Sequence, residues 1–332
     1  MTIDMPTRRL RRSLLALAAT ALSLAFGAAP AHADTWPSKP VRLVVPFPAG
    51  AAPDVVARLV ADRLARSWGQ SVYIENKPGA GGIPGMSTLA RAPADGYTIG
   101  FVPAAAATLT PLLYKNPQFN IDSDIVPVAN IGISPMMVAV NSSSNIYTVA
   151  DLVREAKAQP GKLNFAAAQA NSVPHLTGEM LSRAGELQLF TVPYSGSPTA
   201  TNALLAGDAK LTVDGLPALV QHVKGGKLRA IAVTSAQRLP GFENVPTVGE
   251  TFKGFESVGW FALFVPAGTP VAVVDQINRE TNKLLQQPDL VAQLADLGVY
   301  PRPGPPAAMG QFLAEQRALA RNTVRDLGLQ AQ

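Results

Sequence analysis

Cysteine is absent from the sequence, and its absence removes several kinds of chemistry at once. The chain can form no disulfide, has no thiolate nucleophile or thiolate metal ligand, and cannot be acylated on an N-terminal cysteine. At 332 residues it is long enough to bury a hydrophobic core without disulfides. The missing cysteines therefore restrict the possible chemistry more than the stability.

Histidine is scarce as well, since only His175 and His222 lie beyond the N-terminal leader discussed below. No His-Glu-x-x-His motif or other close histidine pair occurs, so we do not expect a catalytic zinc site. Ser197, His175 and Asp214 could be imagined as a catalytic triad, but no Gly-x-Ser-x-Gly elbow supports one. We expect a protein that is not an enzyme and that has neither a metal nor a cofactor.

The N-terminus has the three parts of a secretory signal peptide. "MTIDMPTRRLRR" is basic, an Ala- and Leu-rich apolar run follows, and Ala31 and Ala33 form an A-x-A cleavage site before Asp34. A membrane anchor is the alternative, but the apolar run is barely long enough to span a bilayer. We predict export by the general or the twin-arginine route, with cleavage after Ala33.

The mature chain would be nearly neutral. Cleavage removes four arginines and Asp4, which reduces 28 basic and 23 acidic residues to 24 and 22. This balance lacks the electrostatic footprint of a nucleic-acid-binding protein.

Strand-like and helix-like segments alternate along the chain. "VRLVVPF" (Val41–Phe47) predicts a buried strand, and Asp54–Ser67 predicts an amphipathic helix with Val55, Leu59 and Leu64 on one side. Thr148 and Asp151 form a capping box for a helix that should end at Gln159. The other predicted strands are Ser71–Asn76, Tyr97–Val102, Leu163–Ala168, Gln188–Tyr194, Lys210–Gly215 and Leu228–Thr234. The other predicted helices include His175–Ala184, Pro198–Ala206, Pro217–Lys224, Val271–Gln287 and Ala307–Leu327.

Two long β-prone runs interrupt this alternation, at Ile125–Asn141 and Ser257–Pro270. Runs so far apart suit a chain that crosses between two domains and later returns. Strand–helix alternation on either side of them predicts parallel sheets with crossover helices. We therefore predict an α/β fold of two lobes joined by two crossing strands, with residues 34–134 and 256–332 in the first lobe and 135–255 in the second.

The loop Pro48–Ala52 is the first candidate for a binding site. It follows a predicted strand and precedes a predicted helix, where free backbone N–H groups and the helix dipole attract anions. Gly50 permits close approach, and the neighbouring alanines add no bulk. The loop is either an anion site made of main chain or a plain strand–helix turn.

Other candidate residues have equally open roles. "NKPGAGGIPG" (Asn76–Gly85) fails the nucleotide-loop patterns, so it is better interpreted as a tight turn. Asp214 either accepts hydrogen bonds from a ligand or caps the next helix. His175 is more typical of a packed histidine than of a base, and Asp54 could cap its helix or hold a bridging water.

A set of motifs in order resembles one known family. They are "WPSKPVRLVVPFPAG" with Asp54, "ENKPGAGG", "DGYTI", "VPYSGS", "GKLRAIAVT", "VPTVGE" and "WFALFVPAGTP". Together they resemble the solute receptors of tripartite tricarboxylate transporters, the Bug-type extracytoplasmic binding proteins. The resemblance covers nearly the whole mature chain and implies a type II-like periplasmic binding protein that closes on a carboxylate ligand.

The resemblance also implies ligand contacts, with one carboxylate held by main-chain N–H groups and ordered waters at the first strand–helix loop. The implied contacts are Phe47, Ala49, Gly50, Ala51, Asp54, Ala105, Ala106, Ala168, Asn171, Ser172, His175, Tyr194, Gly196, Ser197 and Asp214.

Departures from the family pattern suggest the nature of the ligand. "GAAPD" lacks the usual hydroxyl before Asp54, "PAAAAT" replaces a Ser-, Thr- and Gly-bearing loop, Ser195 replaces a customary lysine, and "NSVPH" replaces "GST/SSH". Most of these changes substitute smaller or apolar groups. We expect a ligand with one carboxylate and a mostly apolar body, because an alanine-lined pocket pairs additional polar groups poorly.

These observations predict a periplasmic solute-binding protein, monomeric, that delivers a small carboxylate to a tripartite tricarboxylate-type permease. A periplasmic sensor that presents the same ligand to a membrane histidine kinase would have the same fold and pocket, and remains an alternative.

Overall fold

The computed structural model describes residues 36–168, 170 and 172–331. The predicted leader, residues 1–33, and the candidate residue Asn171 lie outside the described residues. All the described helices and strands belong to one compact unit, Lys39–Gln332.

The first sheet starts with three parallel strands. β1 (Val41–Val45) lies between β2 (Val72–Asn76) and β3 (Thr98–Pro103). The connections are helices, α1 (Ala52–Trp68) and α2 (Ile83–Ala90). The predicted parallel arrangement is confirmed here, and the carboxyl ends of these strands share one edge.

The buried face of α1 differs from the predicted one. Val56, Val60 and Leu64 are at most 1 % exposed, whereas Val55 is 38 % exposed. Residues four apart lie on the same face of a helix, so Val56, Val60 and Leu64 form one stripe. Val55 lies about 100° away from that stripe, so the prediction that placed it on the core side was wrong.

One long strand takes part in both sheets. β4 (Ile125–Asn141) matches the predicted run residue for residue. Its first part pairs antiparallel with β9 (Val258–Pro266), and its last part pairs with β7 (Leu211–Gly215) and β8 (Leu228–Val233). β9 also pairs with β3. The full order is therefore β2-β1-β3-β9-β4-β7-β5-β6, in which β5 is Asn164–Ala167 and β6 is Phe190–Pro193, and β8 and β10 (Tyr300–Pro301) also pair with β4.

The second sheet repeats the parallel pattern. β5 (Asn164–Ala167) lies between β6 (Phe190–Pro193) and β7. Thr148 and Asp151 form the predicted capping box, with N···O distances of 3.1 and 3.0 Å. The helices of this region are α5 (Val149–Ala158), α6 (Val173–Ala184), α7 (Ser197–Ala206) and α8 (Leu216–Lys224).

The C-terminal part contains two elements that the sequence patterns did not predict. α9 (Val271–Leu284) and α11 (Pro306–Asp326) match the predicted helices, but α10 (Pro288–Asp296) and the two-residue β10 (Tyr300–Pro301) lie between them. α10 is short, with Leu290 and Leu294 as its buried side chains. Over the described part of the chain, no helix combines the length and the apolar character that crossing a membrane requires.

The two lobes touch through an apolar cluster. After β3 the chain forms α3 (Ala104–Thr108) and α4 (Thr110–Leu113). Leu109 and Leu113 pack there with Leu176 of α6 and Ala320 of α11. These four side chains, at most 7 % exposed, are called the interlobe cluster below. They join the segment between α3 and α4 to α6 and α11.

Candidate functional site

The first strand–helix loop has the predicted exposure. Pro48, Ala49 and Gly50 are exposed between the end of β1 and the start of α1. Gly50 has φ +79°, and a Cβ atom added there would meet nothing within 4 Å. The backbone at Gly50 therefore faces open space in a conformation that favours glycine.

Asp54 holds this loop in place through hydrogen bonds to its buried carboxylate. Its side chain is buried, and Oδ2 accepts hydrogen bonds from Gly50 N at 2.8 Å and Arg58 Nε at 2.9 Å. Oδ1 accepts a third, from Asn76 Nδ2, at 2.8 Å. Burial raises the pKa of Asp54, but the bonds from Arg58, Gly50 and Asn76 outweigh burial and leave the pKa below its usual value.

This arrangement changes the predicted role of Gly50. Its N–H donates to Asp54, so that donor is already in use, and Ala51 N donates to Pro48 O at 3.2 Å. Among the described residues of the loop, the amides of Ala49 and Ala52 donate no hydrogen bond. The alternative in which Asp54 caps its own helix is also not found, since Ala51 is the N-cap without a side-chain bond.

Asn76 is a site residue that the sequence reasoning missed. It is the last residue of β2, and its Nδ2 donates both to Asp54 Oδ1 and, at 3.1 Å, to Phe47 O. It therefore connects the loop carbonyl to the carboxylate that holds the loop amide. The available signal was a polar residue at the carboxyl end of a strand parallel to β1.

The glycine-rich turn after β2 packs against the same loop. A Cβ atom at Gly85 would lie 2.6 Å from Pro46 Cα, and one at Gly82 would lie 3.2 Å from Ala106 Cβ. Thr110 Oγ1 donates to Gly81 O at 2.7 Å. These glycines permit close packing of two loops, which agrees with the tight-turn interpretation.

A small cavity brings three candidate residues together. It measures about 20 Å³ and contacts Phe47 and Ala105 of the first lobe and Ser172 of the second. Its remaining lining residues are Gly81, Thr110, Leu113, Tyr114 and Ala170. Ala106, in contrast, is fully buried in the first-lobe core and is not among the lining residues of this cavity.

His175 contacts an acidic partner on its own helix. Ser172 caps α6 by accepting from His175 N, and His175 Nε2 lies 3.6 Å from Glu179 Oε1. Thr191 Oγ1 also donates to Glu179 Oε1, at 2.6 Å. The neighbouring His175 side chain is the main reason that the pKa of Glu179 lies below its usual value, and the bond from Thr191 acts in the same direction.

Asp214 is buried with one oxygen unpaired. Oδ1 accepts from Gly215 N at 2.7 Å, but the buried Oδ2 has no partner among the described residues. Burial raises the pKa of Asp214 to about 6, although the nearby Ser197 hydroxyl and the Gly215 amide act in the opposite direction. Gly215 is the N-cap of α8 without a side-chain bond, so Asp214 does not cap that helix.

The remaining candidates lie at the carboxyl edge of the second sheet. Ala168 follows β5 and packs with Tyr194, which follows β6. Gly196 and Ser197 begin α7. None of these residues, nor Asp214, is among the lining residues of the cavity described above.

Comparison with known proteins identifies the family. The family model described as "Tripartite tricarboxylate transporter family receptor" matches residues 56–329. This chain belongs to that family. Its members are solute-binding proteins of the periplasm, not enzymes, and this receptor has their two-lobed α/β fold.

Three solved structures illustrate the similarity. This receptor is 32 % identical to Rpa4515 of R. palustris with adipate, with a TM-score of 0.84, covering 90 % of this chain and 100 % of that one. It is 32 % identical to the periplasmic binding protein BugD, with a TM-score of 0.80 and the same coverage. It is 29 % identical to MatC of Rhodopseudomonas palustris with bound malate, with a TM-score of 0.78, covering 87 % and 100 %.

Proposed function

We propose that this receptor captures a small carboxylate with a mostly apolar body and delivers it to a tripartite tricarboxylate-type permease. One ligand carboxylate would bind at the first strand–helix loop. The observation that carries this proposal is the loop itself, exposed at Ala49 and Gly50 and held from behind by Asp54.

The loop suits an anion because the negative charge of Asp54 is already balanced by Arg58. Asp54 is ionised, but its carboxylate is paired with Arg58 and bonded to the Gly50 amide. The unpaired amides of Ala49 and Ala52 remain at the N-terminus of a 17-residue helix, where the helix dipole favours negative charge. Ordered water could complete the coordination.

The cavity lining supports the proposal of an apolar ligand body. Phe47, Ala105, Leu113 and Tyr114 present mostly carbon to the cavity, so a ligand bearing several polar groups would lose hydrogen bonds there. The relative with adipate binds a dicarboxylate with an aliphatic body. The relative with malate shows that the same fold also takes a more polar acid, so the test below compares both kinds.

We further propose that the lobes comprise residues 34–134 with 256–332 and residues 135–255, with hinges near Ser134–Pro135 and Gly254–Gly259. β4 continues through the first hinge, and Ser257 N donates to Thr234 O at 2.9 Å beside the second. We also propose that the protein is exported, is cleaved after Ala33 and is a monomer.

Calorimetric titration of purified mature protein tests the ligand class. Bound ligand is first removed by unfolding and refolding, and adipate, benzoate, malate and citrate are then compared. We expect adipate or benzoate to bind at least tenfold more tightly than citrate, and uncharged adipamide not to bind. Tight citrate binding without adipate or benzoate binding contradicts the apolar body, and binding of adipamide equal to that of adipate contradicts the anion site.

A further inference from the structure

The hydroxyl group of Thr234 lies where the chain passes from one proposed lobe to the other. Thr234 follows β8 and is 0 % exposed. Its Oγ1 accepts a hydrogen bond from Met136 N at 2.9 Å and donates one to Ser257 O at 2.5 Å. Met136 directly follows the proposed hinge at Ser134–Pro135, and Ser257 lies within the one at Gly254–Gly259. One buried side chain therefore bonds to both crossing segments.

Main-chain hydrogen bonds join the same three residues. Thr234 N donates to Met136 O, and Ser257 N donates to Thr234 O, both at 2.9 Å. A hydroxyl group has a single hydrogen, and Met136 O at 3.2 Å is a second acceptor for it. The hydroxyl can therefore turn from Ser257 O to Met136 O when the second crossing segment shifts. Such a shift leaves no buried donor unpaired, which would otherwise be costly.

Strand pairing limits where the two crossing segments can bend. β4 and β9 remain paired as far as Pro135 with Val258. The preceding residue, Ser257, bonds to Thr234 instead. A Cβ atom at Gly259 would lie 3.1 Å from a carbonyl oxygen of β4, so the two crossing segments are closely packed. They are joined to each other on one side of the hinge and to Thr234 on the other, which leaves few residues between to bend.

A second side-chain bond connects the hinge to the candidate site. Thr177 of α6 is 1 % exposed, and its Oγ1 lies 2.6 Å from Ser257 Oγ in a hydrogen bond. Ser172 is the N-cap of the same helix and lines the cavity of the candidate site together with Phe47 and Ala105. The position of Ser257 therefore bears on how residues of the two proposed lobes meet around that cavity.

We propose that Thr234 is a positioning residue for ligand capture: its hydroxyl group ties both crossing segments to the second lobe, so that they bend as a single hinge. Without the hydroxyl, the second segment bends independently and the lobes reach the closed arrangement less often. Apparent affinity falls with the fraction of molecules that are competent to bind. The proposal rests on the proposed function for its lobes and its ligand, but Thr234 is not among the lining residues of the cavity.

A matched pair of valine variants tests this role. Thr234→Val removes the hydroxyl at nearly constant volume. Thr212→Val is the control, because Thr212 is also 0 % exposed and its Oγ1 donates to Ala166 O at 2.7 Å, a bond that joins β7 to β5 away from both hinges. Both variants should lose similar stability in urea. In calorimetric titration with adipate, Thr234→Val alone should weaken binding, roughly fivefold or more, and Thr234→Ser should bind within roughly twofold of the wild type.

Hydrogen exchange of the Ser257 amide gives a readout that needs no ligand. That amide donates to Thr234 O, and in ligand-free protein it should exchange roughly tenfold faster in Thr234→Val than in Thr212→Val. Failure of the wild-type protein to bind adipate would count against the proposed function alone, since the exchange rate still decides the role of Thr234. Equal losses of affinity in the two valine variants, or equal exchange rates of the Ser257 amide, overturn the proposal.

A further variant covers the case in which Thr234→Val does not fold. Thr177→Val removes the other side-chain bond that holds Ser257. We expect faster exchange of the Ser257 amide and weaker adipate binding in this variant too, because the second crossing segment is again less constrained. Wild-type values for both measurements would overturn the proposal.

Discussion

Replacing Asp54 with Asn tests the central claim about the candidate site, that this carboxylate holds the loop in its binding conformation. The substitution keeps the shape of the side chain and removes its charge. In the wild-type protein, Asp54 Oδ2 accepts hydrogen bonds from both Gly50 and Arg58, and Oδ1 accepts one from Asn76. An asparagine can present only one oxygen, so its NH₂ group must face a donor on one side.

The expected loss can be worked out from these contacts. If the new amide keeps the Gly50 and Arg58 bonds, its NH₂ opposes Asn76 Nδ2, which would have to turn and release Phe47 O. At least one hydrogen bond to a charged group disappears in a buried place, which costs about 1–3 kcal/mol of unfolding free energy. Because the loop amides then lose their fixed positions, carboxylate affinity should fall roughly tenfold or more.

Asp62→Asn is the matched control. Asp62 lies on the same helix and pairs with Arg66 at 2.8 Å, but its side chain is 55 % exposed and holds no loop. Exposed ion pairs contribute little to stability, so we expect Asp62→Asn to lower the unfolding free energy by less than about 1 kcal/mol. Urea unfolding and calorimetric titration of both variants give the comparison. Equal losses of stability and affinity in the two variants would refute the reasoning.

The pKa of Asp54 adds a further check. Since it lies below 3.8 in the folded state, the stabilisation from Asp54 is complete above that pH and is lost as the pH falls through the folded pKa. The stability difference between the wild-type protein and the Asp54→Asn variant should therefore shrink below about pH 4.

Three other changes have defined outcomes. Gly50→Ala should reduce the unfolding free energy by about 1–2 kcal/mol from backbone strain alone, because φ is +79° and a Cβ meets no atom; urea unfolding that shows no loss would contradict this. Asp214→Asn should remove a pH dependence: because the folded pKa of Asp214 is about 6, the wild-type protein should lose stability as the pH rises from 4 to 7, by ~2 kcal/mol relative to the variant. Unfolding curves with a constant difference across that range would count against it. Leu176→Ala should open the ligand-free lobes and raise the radius of gyration in X-ray scattering, whereas Leu181→Ala, in the second-lobe core, should reduce stability without opening them; the same radius in both variants would oppose it.

Much of the fold could be predicted because the local patterns and the tertiary structure agree. The run Ile125–Asn141 carries no charge over 17 residues, which is long for a strand and indicates one that crosses between two sheets. The structure confirms this strand with the same first and last residues. The Thr148–Asp151 capping box depends on two residues three apart, so it too is local. α10 and β10 were missed because their burial depends on packing against distant elements, such as Gly132 and Ile133 of β4.

The candidate site was harder to predict for a related reason. The loop Pro48–Ala52 could be located from its place between strand and helix. Which of its amides are free depends on the Asp54 side chain and on Asn76, which is 22 residues away from Asp54 in sequence. Side-chain pairing of this kind has no periodic signal, so sequence patterns predict the loop but not its hydrogen bonds.

The cavity at the candidate site has a consequence for how ligand enters. At about 20 Å³ it has room for one or two waters, so under the proposed function even a small carboxylate would need the lobes to separate first. Under the proposed lobe boundaries, the packing of the interlobe cluster would oppose that separation. The apparent affinity is then the intrinsic affinity multiplied by the fraction of molecules that are open. A weaker cluster, as in Leu176→Ala, would raise that fraction and speed ligand entry, but it would also weaken the closed complex.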